Sequence, residues 1–493
     1  MKKVRNLFAM FIAMIMALVL SVPAFAAEGN YTITAPNNTH TYEVYQIFTG
    51  DYHNGVLSNI KWGQNGTGTT GEAVPSEIIT ALTGATGSDT AQPDVIKNYV
   101  NLNSDDKFGT VSNGSTLEVP GGYYLIKDVD KALDGKNDAY TLYIVEVADN
   151  VTITPKADVP ELEKKVKDTD DTAGTTTGWQ DSADWDIGDK VPFQLKGTVA
   201  DNYADYTKYK FIFHDQESTG LTFDSSSVKV YVDGNQIQSG FQVVTSGQKD
   251  GCTFEVVFDN LKDITSVTAG SVITVEYQSE LNEKAVIGSA GNPNTAKLEF
   301  SNNPNDKQGG ETGTTPVDTV IVFTYKTVID KVDGKNQPLA GAAFKLEKQM
   351  NDGTWKLVKE YAVNEETGLP DDPSITKFEF TGLDDGTYRL TETVTPAGYN
   401  TIAPIVFKVT ADHQIESNSP ALTSLNGNKV SGEITFTPNK GEGALSADVV
   451  NKSGLELPET GGIGTTVFYI LGGILVIGAS VVLIVKRRMN TDK

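Results

Sequence analysis

Cysteine is almost absent: Cys252 is the single one in 493 residues. An internal disulfide is therefore excluded, and Cys252, in strand-like sequence, reads as a small buried residue. Histidine is scarce too, with His40, His53, His214 and His413 alone. No HExxH, GxSxG or glycosidase-like pattern accompanies them, so an enzyme is the weakest reading, and neither metal nor cofactor is expected. The acidic run 168–171 lacks the spacing and glycine of a calcium loop. Basic charge is in deficit, 40 Lys and Arg against 64 Asp and Glu, which argues against nucleic acid or an anionic membrane as partner. Helical periodicity is also rare. Residues 76–82 and 93–102 are the best short helix candidates. Long apolar runs are missing everywhere except at the two ends.

Those ends carry addresses. Lys2, Lys3 and Arg5 precede an apolar stretch over 7–22, and Pro23-Ala24-Phe25-Ala26 supplies a small-residue cleavage site. Residues 1–26 thus read as a signal peptide. At the far end, residues 466–485 are apolar enough to span a bilayer, and Lys486, Arg487 and Arg488 hold that end in the cytoplasm. The bulk of the chain lies outside. Roughly 430 residues remain between the two signals, room for about three domains.

Most of this interior alternates apolar and polar residues in short runs broken by Gly, Asn, Asp and Pro. Examples are Lys210-Phe211-Ile212-Phe213, Val228-Lys229-Val230-Tyr231-Val232 and Lys377-Phe378-Glu379-Phe380. The fold class is mainly β, as tandem Ig-like sandwiches. A proline-bracketed hinge at 154–160 and a stretch rich in Asn, Gly, Thr and Pro at 302–316, read as an exposed loop, suggest the divisions. The resulting domains are 27–157, 158–325 and 326–453, followed by a sorting tail at 454–493.

Several strands place a polar group where alternation calls for an apolar one. Lys164 shares a face with Leu162 and Val166, Asp215 with Phe211 and Phe213, and Asn302 with Leu298 and Phe300. Further on, Lys331 sides with Ile329, Glu392 with Tyr388 and Leu390, and Asn451 with Val449. Each region offers a lysine, an acid and an asparagine in the same order. Burial lowers a lysine pKa and raises a carboxyl pKa. A neutral amine beside a protonated acid can attack an Asn side-chain carbonyl and expel ammonia, leaving an amide cross-link.

Leu457-Pro458-Glu459-Thr460-Gly461, then the apolar span and the basic tail, resembles the sorting signal of Gram-positive wall-anchored proteins. The resemblance implies that a sortase cysteine attacks the Thr460 carbonyl and passes the acyl group to an amine, with peptidoglycan the final anchor. Lys331-Val332-Asp333, Pro338-Leu339-Ala340-Gly341-Ala342, Tyr388-Arg389-Leu390-Thr391-Glu392-Thr393 and Val449-Val450-Asn451-Lys452 resemble the Cna protein B-type domain of Gram-positive pilins and adhesins. That likeness implies a Lys331–Asn451 isopeptide bond promoted by Glu392. Ile187-Gly188-Asp189-Lys190-Val191-Pro192-Phe193 and Gly220-Leu221-Thr222-Phe223 are similar to the isopeptide-forming fimbrial domain, a Cna A-type sandwich. There Lys164 would join Asn302, with Asp215 as the acid; Asn294 has the same strand parity and stays open.

In the backbone pilins that the chain resembles, a lysine at the first hinge receives the acyl group. Lys156, after Thr154-Pro155, stands at that place, although Thr154 replaces the motif tyrosine. The resemblance therefore implies a secreted, wall-linked pilus shaft of identical subunits joined Thr460 to Lys156, with tip and base pilins as further partners. A wall-anchored adhesin for a host ligand is the alternative.

Overall fold

The computed structural model describes residues 30–454, except 54, 55, 85–94, 156, 157 and 249, and part of 470–481. The signal peptide, Lys156 and the Leu457 to Gly461 motif lie outside the described residues, as does most of the expected membrane span. Among the described residues, no helix is long and apolar enough to cross a membrane.

Alternating sequence folds as alternation requires, into three successive two-sheet units. In the first, Thr116–Pro120, Asn30–Thr34 and Val151–Thr152 face a sheet built on Thr41–His53 and Gly122–Asp128. Ile33, Tyr42, Val44, Tyr124 and Ile126 fill the space between. The helix expected at 76–82 is present as Ser76–Gly84. Of the one expected at 93–102, the described part is helical at Val95 and Ile96, tightens to a 3-10 turn at Lys97–Tyr99 and returns to extended backbone at Val100.

In the second unit, one sheet runs Ser182–Asp184, Asp318–Phe323, Asn292–Ser301, Phe211–Glu217, Phe254–Phe258 and Gln242–Val244. Facing it is a sheet in which Glu161–Val166 is the edge strand, next to Lys190–Thr198 and Val272–Leu281. Phe193, Phe211, Phe213, Phe254 and Tyr277 dominate the buried interior. In the third unit, Tyr325–Asp333 lies parallel to Ala444–Asn451, with Lys331 opposite Val449. The first and last strands of that unit are thus direct neighbours.

The units are closely coupled. Only Thr324 separates Asp318–Phe323 from Tyr325–Asp333. Gly288 (φ +95°) and Gly443 (φ +62°) meet backbone to backbone across the junction, where a Cβ on Gly288 would stand 2.5 Å from the Gly443 nitrogen. At the other junction, the stretch 302–316 is not the exposed loop that its composition suggests. Ser301, Asn302 and Thr315 are buried, and Thr312 and Thr314 exchange backbone hydrogen bonds with Gly135 and Lys136 of the first unit. Its buried members serve an inter-unit contact, while Lys307, Gln308 and Pro316 stay exposed.

Candidate functional site

In the third unit, strand alternation turns Lys331, Glu392 and Asn451 inward, and all three are buried. Lys331 Nζ donates to the Val449 carbonyl at 2.9 Å, two residues before Asn451. Asn451 Nδ2 donates to both Glu392 oxygens, at 2.9 and 3.1 Å. Asn451 Oδ1 has no partner. Burial lowers the Lys331 pKa to about 8 against the opposing pull of the Glu392 charge. The amine thus reaches its neutral, nucleophilic form far more readily than an exposed lysine. Exchanging the two atoms of the Asn451 amide would put its carbonyl oxygen on Glu392, the orientation in which an acid polarises it.

In the second unit, Lys164 and Asp215 are both fully buried and hydrogen-bonded to each other. Lys164 Nζ also donates to the Tyr277 hydroxyl at 2.8 Å, and that hydroxyl donates to Asp215 at 2.7 Å. Burial is the leading cause at both ends of the pair: it lowers the lysine and raises the aspartic acid. Both shifts favour the neutral forms, an amine beside a carboxylic acid. Nearby Glu217, chiefly through burial, is raised to about 8.

Of the two candidate asparagines, the structure brings Asn294 to this cluster. Its Nδ2 donates to the same Tyr277 hydroxyl at 2.9 Å, and its buried Oδ1 has no partner. Asn302, which the sequence favoured, lies elsewhere. Phe211–Glu217 and Asn292–Ser301 run antiparallel with Asp215 opposite Ala296 and Phe211 opposite Phe300. Asn302 is thus beyond the far end of the ladder from Asp215, where its Nδ2 donates to the Leu133 carbonyl of the first unit at 3.0 Å. Parity is identical for the two residues, and only the register separates them. Tyr277, which binds amine, acid and amide together, was missed; its place in the alternating run Ile273 to Tyr277 looks like ordinary core.

Three family models match in succession. The Gram-positive pilin backbone subunit 2, Cna-B-like domain, covers residues 187–304, where the sequence had suggested an A-type relative. The SpaA prealbumin-like fold domain covers 326–420, and the LPXTG cell wall anchor motif covers 450–492. The chain belongs to the Gram-positive backbone pilins. Like its family, this pilin is a cell-wall-anchored surface protein. It is 28% identical over 405 residues to the trypsin-resistant surface T6 protein of Streptococcus pyogenes serotype M6, spanning 68% of this pilin and 70% of that protein. The solved T6 backbone pilin overlays with a TM-score of 0.52 at 19% identity, over 88% of this pilin and 100% of that chain. The major pilin SpaD of Corynebacterium diphtheriae overlays less closely, with a TM-score of 0.47 at 17% identity, over 88% and 99% of the two chains.

A third buried lysine in the pilin behaves differently. Lys348 is fully buried, ion-paired to Asp186 at 2.8 Å, to Asp171 at 3.2 Å and to Asp384. Burial alone would lower its pKa, but Asp384 and Asp186 outweigh it and raise the lysine. No asparagine is hydrogen-bonded to it among the described residues. It joins the second and third units as a charged lock.

Proposed function

We propose that this pilin forms the shaft of a covalent cell-surface fibre and that two of its units close internal Lys–Asn amides, Lys164 to Asn294 and Lys331 to Asn451. The observation that carries the reading is the pairing, twice, of a buried pKa-lowered lysine with an acid and an asparagine whose carbonyl oxygen has no partner. In each, the Nζ lone pair attacks Asn Cγ and the new C–N bond forms. The protonated acid, Asp215 or Glu392, gives its proton to the departing nitrogen and takes one back from the newly attached amine. The C–Nδ2 bond breaks, and ammonia leaves. The chain thereby modifies itself once and is a substrate, not an enzyme, toward the sortase.

Polymerisation uses the tail. A sortase cysteine takes the Thr460 acyl group, releasing Gly461 onward, and Lys156 of another copy displaces the enzyme to give a Thr460–Lys156 amide. The last subunit passes to peptidoglycan, and tip or base pilins join through the same chemistry. Cells expressing Lys156→Ala are expected to lose the high-molecular-weight ladder on denaturing gels while still secreting monomer. A ladder that persists would reject Lys156 as the acceptor.

A further inference from the structure

Alternation that turns Asp215 inward turns His214 outward, and on that outer face four unlike side chains converge. His214 stands opposite Glu255 on the neighbouring strand Phe254–Phe258. Asp250 and Cys252 come from the turn that leads into it. Their ligand atoms all lie within 4.8 Å of one another. His214 Nδ1 is 3.1 Å from Asp250 Oδ2, 3.3 Å from Glu255 Oε1 and 4.0 Å from Cys252 Sγ. Cys252 Sγ is 3.7 Å from Glu255 Oε1.

Zinc bonds of about 2.0–2.3 Å at tetrahedral angles give edges of roughly 3.3–3.6 Å between ligand atoms. The observed edges bracket that range. Behind the ring, His214 Nε2 meets Glu299 Oε2 at 3.3 Å, the carboxylate support that holds metal-bound histidines in one tautomer. Asp250 Oδ1 accepts the Cys252 backbone N–H at 3.2 Å, which fixes the turn and leaves Oδ2 on the cluster. Lys297 Nζ, one-third exposed, reaches Asp250 Oδ2 at 2.9 Å from the solvent side.

We propose that His214 Nδ1, Asp250 Oδ2, Cys252 Sγ and Glu255 Oε1 form a zinc site, oriented through Glu299 and opposed by the charge of Lys297. The mixed N, S and O set suits zinc, whereas calcium and magnesium favour oxygen-only shells of six or more. On binding, Cys252 gives its thiol proton to solvent and becomes the thiolate ligand. His214 keeps its proton on Nε2, toward Glu299, and no electrons are transferred.

The mature chain, reduced and stripped with chelator, is titrated with Co²⁺ as the spectroscopic probe. Saturable one-to-one binding is expected, with tetrahedral visible bands and a thiolate-to-cobalt charge-transfer band, both bleached by Zn²⁺ and untouched by Ca²⁺. Cys252→Ser removes the charge-transfer band, Glu299→Gln weakens Zn²⁺ binding about tenfold or more, and Lys297→Met tightens it. A cooperative thermal melt serves as the folding control, so that the result does not depend on whether the internal amides form. In chains that pass this control, the absence of saturable binding, or a spectrum indifferent to Cys252→Ser, overturns the proposal.

Discussion

At the scale of single residues, three fully buried lysines have different fates because their neighbours differ. Lys164 and Lys331 are each faced by one strong carboxylate contact or fewer, and desolvation wins. Lys348 has three aspartates, and charge wins. Among the described residues, only the first two stand beside a buried asparagine amide. Glu392→Ala should remove the general acid and base of the third unit. Intact mass of the mature chain is then expected to show one ammonia loss in place of two. Asn294→Ala should likewise abolish the loss in the middle unit, whereas Asn302→Ala should leave it intact. The reverse result would return the cross-link to Asn302. That these lysines and acids face inward was legible from strand parity. The choice of asparagine was not, since parity repeats every second residue and says nothing of position along the ladder. Cys252 was misread for a related reason: it is half-buried beside His214, not a core residue, and residues 38 positions apart carry no spacing signature.

At the scale of elements, the runs named from alternation are strands: Lys210 to Phe213 leads into Phe211–Glu217, Val228 to Val232 ends Leu221–Val232, and Lys377 to Phe380 opens Lys377–Leu383. What composition misjudged was the stretch 302–316, because Asn, Gly and Thr signal irregular backbone without saying whether water or protein covers it. The strand Ala343–Gln349 carries Lys348 to the junction, where Asp384 and Tyr388 on one side meet Asp171 and Asp186 on the other. Removing one member of a buried charge cluster leaves the others unpaired and costs about 3–5 kcal/mol. Lys348→Met is therefore expected to lower the melting temperature and to raise amide exchange along Ser182–Asp184 and Gly386–Val394. Asp171→Asn, whose carboxylate is partly exposed, should do much less.

At the scale of the whole molecule, a titratable group is set into two of the contacts that stiffen the chain. His413 of the third unit reaches Asp168 at 3.4 Å and Asp184 at 3.6 Å in the second, while Ser182 Oγ meets its Nδ1 at 2.8 Å. Burial would lower this histidine, but the two aspartates raise it to about 9. His40 in the first unit is raised to about 9 mainly by its hydrogen bond to Asp128, then by Asp138. A histidine raised by folding contributes stability that is complete below its unfolded pKa near 6.5 and fades as pH climbs through the folded value. The melting temperature of the mature chain should therefore fall between about pH 6.5 and 9. His413→Phe should flatten that fall, with roughly 2–3 kcal/mol at stake for this residue.

Each proposed amide joins a strand near the start of its unit to one near its end, closing loops of about 130 and about 120 residues, worth about 4–5 kcal/mol apiece by chain entropy. There is a second consequence, one of connectivity. From Lys156 to Thr460, an unbroken line of covalent bonds can be followed that enters each loop at its lysine and leaves at its asparagine, bypassing residues 165–293 and 332–450. A protease that cuts once anywhere in those stretches severs a side branch and not the fibre. A nicked filament would still hold a bacterium to its anchor point, and only a cut in the short segments outside the rings would set it adrift.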